Sequence, residues 1–250
     1  MRRPLALSLK NLSTFVKGDG KNILRDPLMM LVLFVPFLLY AMIVWGIPFI
    51  DSQITQLTTL QLSDHMPFIH GLALTMTPLM VGMVTGFLLL DEKDEGVFDY
   101  FAITPIQKEG FLAYRMSIPV LLAFVFTVTL SVMLVKVAQN TTLLLLSFIQ
   151  TSLTGPLMTL YLASFAKNKV EGMAIAKVFS ILMVAPVCTY LFSEWWVVFA
   201  YIVPITWSVE LYYFSLIGNG YGLIQQGEVL FIGGLLVYFL WMFIIFRRIQ

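Results

Sequence analysis

The chain has 250 residues, of which 59% are hydrophobic and only 12% charged, with a formal net charge of +1. A water-soluble domain carries about a quarter charged residues, so there is too little polar surface here to cover a globule in water. The near-neutral charge leaves no basic stripe for nucleic acid, and one cysteine, Cys188, excludes disulfides within the chain and cysteine metal clusters.

Arg2 and Arg3 open the chain, but no apolar stretch or small-residue cleavage site follows, so the N-terminus reads as mature protein and not as a signal peptide. Leu5, Leu9, Leu12 and Val16 form a helical stripe, with Lys10 and Lys17 off it. A basic amphipathic helix over 1–24, lying in the cytoplasmic interface, fits that pattern; a merely sticky leader is the alternative. Gly18 and Gly20 allow a bend into the first span.

Crossing about 30 Å of hydrocarbon takes about 20 apolar residues in a helix. Uncharged runs of that order fall at 27–50, 66–90, 116–135, 142–166, 178–193 and 229–246. The predicted class is therefore an all-α membrane protein of six spans, a single transmembrane domain over 1–250. Six basic residues (Arg2, Arg3, Lys10, Lys17, Lys21 and Arg25) precede the first span. Lys93, Lys108 and Arg115 border the loop after span two, while Lys167, Lys169 and Lys177 lie between spans four and five. Arg247 and Arg248 close the chain; only Lys136 falls on the other side. Positive residues mark the cytoplasmic side, which places both termini there.

The uncharged stretch 195–209, with Pro204 inside it and Glu194 and Glu210 at its ends, is too short for an ordinary span, and it opens the segment 194–227. It reads as an external re-entrant pair of short helices, with Gly218-Asn219-Gly220 a turn. Trp195, Trp196 and Trp207 suit a membrane–water interface or a substrate contact.

No enzyme signature is present. His65 and His70 lack partners for a metal site or triad. Gly18-Asp19-Gly20-Lys21-Asn22 lacks the first glycine and the hydroxyl residue of a Walker loop, so this chain has no ATPase site of that kind. The six runs hold essentially no ionisable residue at mid-membrane, which disfavours a pump driven by protons or sodium. Gly82-Met83-Val84-Thr85-Gly86 is a G-x-x-x-G, suited to helix contact within one chain or between two. Pro36, Pro119 and Pro186 are expected to kink their helices.

The loop over 91–110 carries the most information. Charge is dense from Asp91 to Glu95; Val97, Phe98 and Phe101 then share one side of a short segment, and Thr104-Pro105 ends it. Acidic residues around an aromatic knob suit docking into a groove on a partner; a helix lying flat on the bilayer is the alternative.

An amphipathic N-terminal helix, a span opening on Arg25-Asp26-Pro27, and Glu95-Gly96 leading to Thr104-Pro105 together resemble the type-2 ABC exporter permeases. Val97 stands where those permeases usually have threonine, and Asp99 where they have a second glutamate. Asn168-Lys169-Val170-Glu171-Gly172 also resembles a segment of drug or peptide exporters. The resemblance spans nearly the whole chain. It implies a permease paired with a second copy or a sister subunit in the bacterial plasma membrane. Its coupling loop would dock on a separate ATP-binding subunit, which holds the ATP and Mg. It implies coupling roles for Glu92, Glu95, Gly96, Phe98, Asp99, Tyr100, Phe101 and Pro105, and for Asn168, Lys169, Glu171 and Gly172 in the second cytoplasmic loop. The expected cargo is amphipathic or hydrophobic, a toxin-like peptide or a drug. A lipid or glycan flippase of the same family and a non-transporting membrane scaffold remain open.

Overall fold

The computed structural model describes residues 27–57, 61–96, 107–135 and 138–249. The amphipathic N-terminal segment and most of the coupling loop, 97–106, lie outside the described residues. What is described is helical, with no strand among the described residues.

The first span is α1 (Pro27–Ala41), a π-helical turn (Met42–Gly46) and α2 (Ile47–Ile54). The Ile47 N–H bonds to the Met42 carbonyl, five residues back, just ahead of Pro48. Proline has no N–H to continue the ladder, and its ring crowds the carbonyl four residues back, so the turn widens there. Helix α3 (Met66–Asp94) follows, then α4 (Gln107–Leu134). Span four is split into α5 (Thr141–Ser152) and α6 (Thr154–Phe165); Pro156 cannot donate the bond that would join them. Span five is α7 (Lys169–Ser180), a 3-10 turn (Ile181–Met183) and α8 (Val184–Leu191), the break preceding Pro186. A 3-10 helix (Trp195–Ile202) and α9 (Pro204–Ile217) lead to α10 (Gly227–Ile249).

Six helical stretches among the described residues are long and apolar enough to span. Several boundaries differ from the sequence reading, α3 running on to Asp94 among them. Span five begins at Lys169 and not after Lys177, because a lysine stem is long enough to carry its charge from within the helix to the interface. Span one runs on through Asp51 to Ile54. The expected re-entrant pair is a bent pair, turning by 106° at Val203.

Asp91, Glu92, Arg115, Lys169 and Arg248 lie at one end of the bundle, here called the charged end, where α3, α6 and α10 finish and α4 and α7 start. The core runs through the middle: Leu79, Phe87 and Leu90 of α3, Leu157 and Leu162 of α6, Ile205 and Val209 of α9, and Tyr238 of α10. Outward-facing residues such as Phe34, Phe37, Leu121, Val132, Leu236 and Phe239 stay exposed, as helices facing lipid require. Some buried hydroxyls are satisfied within their own helix: Thr75 and Thr85 donate to carbonyls one turn back, at 2.9 Å in each case. Tyr238 Oη lies 2.7 Å from Thr154 Oγ1 and 3.0 Å from Ser208 Oγ, joining α6, α9 and α10.

The G-x-x-x-G works inside the chain. A Cβ on Gly82 would stand 2.1 Å from the Gly155 carbonyl oxygen, so α3 and α6 touch backbone to backbone there.

Candidate functional site

At the charged end, α3 carries two carboxylates in succession, and consecutive helix positions point about 100° apart. Asp91 and Glu92 therefore face different neighbours. Lys169 Nζ lies 2.8 Å from Asp91 Oδ2, which ties the start of α7 to α3. Arg115 pairs with Glu92 through two nitrogens, its Nε donating to Oε2 at 3.0 Å, which ties α4 to α3. The Arg115–Glu92 pair is largely buried, with side chains 10% and 20% exposed; the Lys169–Asp91 pair is open to water.

The second charged loop is built to start a helix in register with this clamp. Asn168 Oδ1 accepts the Glu171 N–H at 3.0 Å, and Glu171 Oε2 accepts the Lys167 N–H at 2.9 Å, a reciprocal cap. Gly172 faces α3 so closely that a Cβ would stand 2.9 Å from Leu90 and 3.2 Å from Phe87. At the end of α3, Gly96 has φ +74°, a conformation that glycine adopts without strain, and its N–H bonds to the Lys93 carbonyl. Arg248 stacks on Phe165 with its guanidinium 4.3 Å from the ring centre, fixing the end of α10 to α6.

Of the residues expected to couple, Lys169 and Gly172 are thus brought against the end of α3, while Asn168 and Glu171 cap the helix that carries them. Glu92 is engaged inside the chain by Arg115, while Glu95 is exposed at the helix end. Phe98, Asp99, Tyr100, Phe101 and Pro105 lie outside the described residues. Sequence reading did not single out Asp91 and Arg115 as clamp partners; their signal was only that charges sit at the borders of adjacent spans.

The opposite end holds a second polar centre. The turn between the 3-10 helix and α9 meets α10 well along its length, where Trp241 Nε1 donates to the Ile202 carbonyl at 3.0 Å. Trp241 stands about 21 Å along α10 from its start, at 1.5 Å per residue. Glu210, on α9, has no exposed surface. Its carboxylate accepts the Tyr201 hydroxyl at 2.7 Å and the Gly222 N–H at 3.1 Å. Tyr201 Oη in turn accepts the Leu223 N–H at 2.9 Å, and the Trp207 indole N–H donates to the Tyr201 carbonyl at 2.6 Å. One carboxyl thus gathers the 3-10 helix, α9 and the loop before α10. Sequence reading took Glu210 for a boundary of an uncharged run and missed its burial. No group of three or more potential metal ligands occurs among the described residues.

Comparison with known proteins gives one family. The sequence model described as fluoroquinolones export permease protein Rv2686c-like matches residues 19–246. Two relatives of that name, proteins MT2760 and Rv2686c from two strains of Mycobacterium tuberculosis, are each 22% identical over 206 residues, covering 81% of both chains. No solved structure matches the chain.

Proposed function

The chain belongs to the Rv2686c-like family of fluoroquinolones export permeases, and from that premise we propose that it is the membrane subunit of an ATP-driven drug exporter. The charged end faces the cytoplasm, with both termini on that side. A separate ATP-binding subunit docks there on 91–110 and supplies the ATP and Mg. A second permease copy or a sister subunit completes the pathway in the bacterial plasma membrane. The cargo is amphipathic, with fluoroquinolone-type drugs the first to test because the relatives carry that name, and toxin-like peptides the second.

The observation that carries this reading is the double clamp on the last turns of α3. Coupling requires that a push on the loop move several helices together. Asp91 and Glu92 stand at the start of that loop and hold α7 and α4 through Lys169 and Arg115. A displacement of the loop is thereby passed to three spans at once. Phe98 and Phe101 fill the groove of the ATP-binding subunit, with Glu95 and Asp99 against its basic residues.

The test is co-purification with the ATP-binding subunit encoded beside the permease, followed by ATP hydrolysis in lipid with and without drug or peptide. A complex whose hydrolysis rises with cargo, and which falls apart in the Phe98→Ala/Phe101→Ala variant while membrane insertion is kept, is the expected result. Full transport by that variant, or no associated ATP-binding subunit in any mild detergent, overturns the proposal in favour of a non-transporting scaffold.

A further inference from the structure

Tyr221 sits on the loop between α9 and α10, between Gly220 and Gly222. Its ring is enclosed by three others, each from a different helix. Phe68 of α3 lies 5.5 Å away at 89°, Tyr190 of α8 5.0 Å away at 80°, and Tyr213 of α9 4.9 Å away at 87°. The walls brace one another: Phe68 and Tyr190 stack at 3.9 Å and 9°, and His65 Nδ1 lies 2.6 Å from Tyr190 Oη. Perpendicular aromatic walls around one guest are the geometry in which rings and cations are held by ring faces and edges.

The guest here belongs to the protein itself. Its loop is fastened by two backbone N–H groups, Gly222 to Glu210 and Leu223 to Tyr201. Both lead to one buried carboxyl, Gly222 directly and Leu223 through the Tyr201 hydroxyl, and among the described residues that carboxyl has no basic partner. A carboxyl buried in a membrane protein is costly to ionise without a cationic partner, and an arriving cation would offset that cost, which makes such a residue a candidate functional group. The residue after Tyr221 is the one that covers it: a Cβ on Gly222 would stand 2.5 Å from Glu210 Oε1. Lifting the loop therefore empties the aromatic box and uncovers the carboxyl in one movement.

We propose that the box of Phe68, Tyr190 and Tyr213, together with Glu210, is a cargo site for a flat aromatic molecule bearing an amine cation, and that Tyr221 occupies it when cargo is absent. The inference rests on the exporter reading for its word "cargo", but the site itself needs no ATP-binding subunit. A cargo ring replaces the Tyr221 ring, and the cargo ammonium takes the place of the Gly222 N–H on Glu210. An internal occupant lowers apparent affinity by the fraction of molecules in which the box is free.

Equilibrium binding to the purified permease in lipid nanodiscs, without ATP, tests this. The probes are norfloxacin, a fluorescent fluoroquinolone with a basic piperazine amine, and its N-acetyl derivative, which keeps the ring and loses the cation. Tyr221→Ala should tighten both probes, by about tenfold if the box is free in only a tenth of wild-type molecules. Tyr221→Trp, a larger guest, should weaken both. Glu210→Gln, which keeps an acceptor for Tyr201, should weaken norfloxacin severalfold and leave the N-acetyl derivative unchanged. Equal affinities for wild type, Tyr221→Ala and Tyr221→Trp overturn the proposal, as does equal loss of both probes in Glu210→Gln or no saturable binding to any variant. Binding that follows the expected pattern in a permease that recruits no ATP-binding subunit would keep the site and refute the exporter reading alone.

Discussion

Replacing Gly82 with alanine tests the packing on which the bundle depends. The new methyl would stand 2.1 Å from the Gly155 carbonyl oxygen and 2.9 Å from its Cα, whereas non-bonded heavy atoms settle at about 3.5 Å. Both obstacles are backbone, so no side chain can swing aside, and α3 and α6 must part by roughly 1 Å. Overpacking of this kind costs about 1–3 kcal/mol. The Thr159 hydroxyl, 3.0 Å from both the Gly82 and Gly155 carbonyl oxygens, loses its place as well, adding about 1 kcal/mol. At about 2–4 °C per kcal/mol for a chain of this size, the melting temperature should fall by roughly 4–16 °C. Scanning fluorimetry of the purified protein in a single detergent reads this directly. Gly86→Ala should cost less, because its methyl meets side-chain atoms only, Leu162 Cδ1 nearest at 2.7 Å, and Gly155→Ala least, with nothing nearer than 3.3 Å. A Gly82→Ala protein that melts with wild type, or a Gly86→Ala as damaging as Gly82→Ala, would refute the reasoning. Unchanged melting with a change of oligomeric state would assign the glycines to a contact between copies.

Two further outcomes concern the charged end. The Lys169–Asp91 pair is about a third exposed on each side, so it adds at most about 1 kcal/mol to folding, and Asp91→Lys should leave melting nearly unchanged while lowering cargo-stimulated ATP hydrolysis of the complex; the swap Asp91→Lys/Lys169→Asp should restore hydrolysis, and failure to do so would show that the clamp does not transmit motion. Asn168→Ala removes the cap of α7 at a cost of about 1 kcal/mol, which should appear as faster amide hydrogen exchange at residues 169–172 with α6 unaffected, and unchanged exchange would mean the cap is redundant.

Much of this architecture was legible in the sequence because a bilayer imposes one rule on every span, and runs such as 66–90 and 229–246 obey it. The places that misled are those where one residue serves two environments. Lys177 looked like a terminator, yet its long stem lets a helix that began at Lys169 pass through it. The charges at 91–94 looked like loop, yet α3 continues until Gly96 takes a positive φ. The clamp joins residues 78 positions apart in the chain, a separation at which local pattern carries no signal. Glu210 is the sharpest case: as letters, it ends an apolar run, and only folding brings Tyr201 from one side and Gly222 from the other to surround it. The coupling role of Phe98 and Phe101 still rests on sequence, which is why their double substitution is the test of function.

The re-entrant pair also sets an order of assembly. Spans hydrophobic enough to partition into the bilayer can enter one by one as they are synthesised. The stretch through Trp195–Ile202 and Pro204–Ile217 is bent by 106° and carries Glu210, and a lone bent segment would expose backbone and a carboxyl to lipid. It needs a prepared groove, and the groove has walls of different age: α3 and α5 precede it, whereas α10 is made last. A ribosome that has finished α9 therefore holds a bundle with one side of its deepest insert still uncovered. Chains truncated before residue 227 should be recognised by membrane proteases, even though they contain five of the six spans.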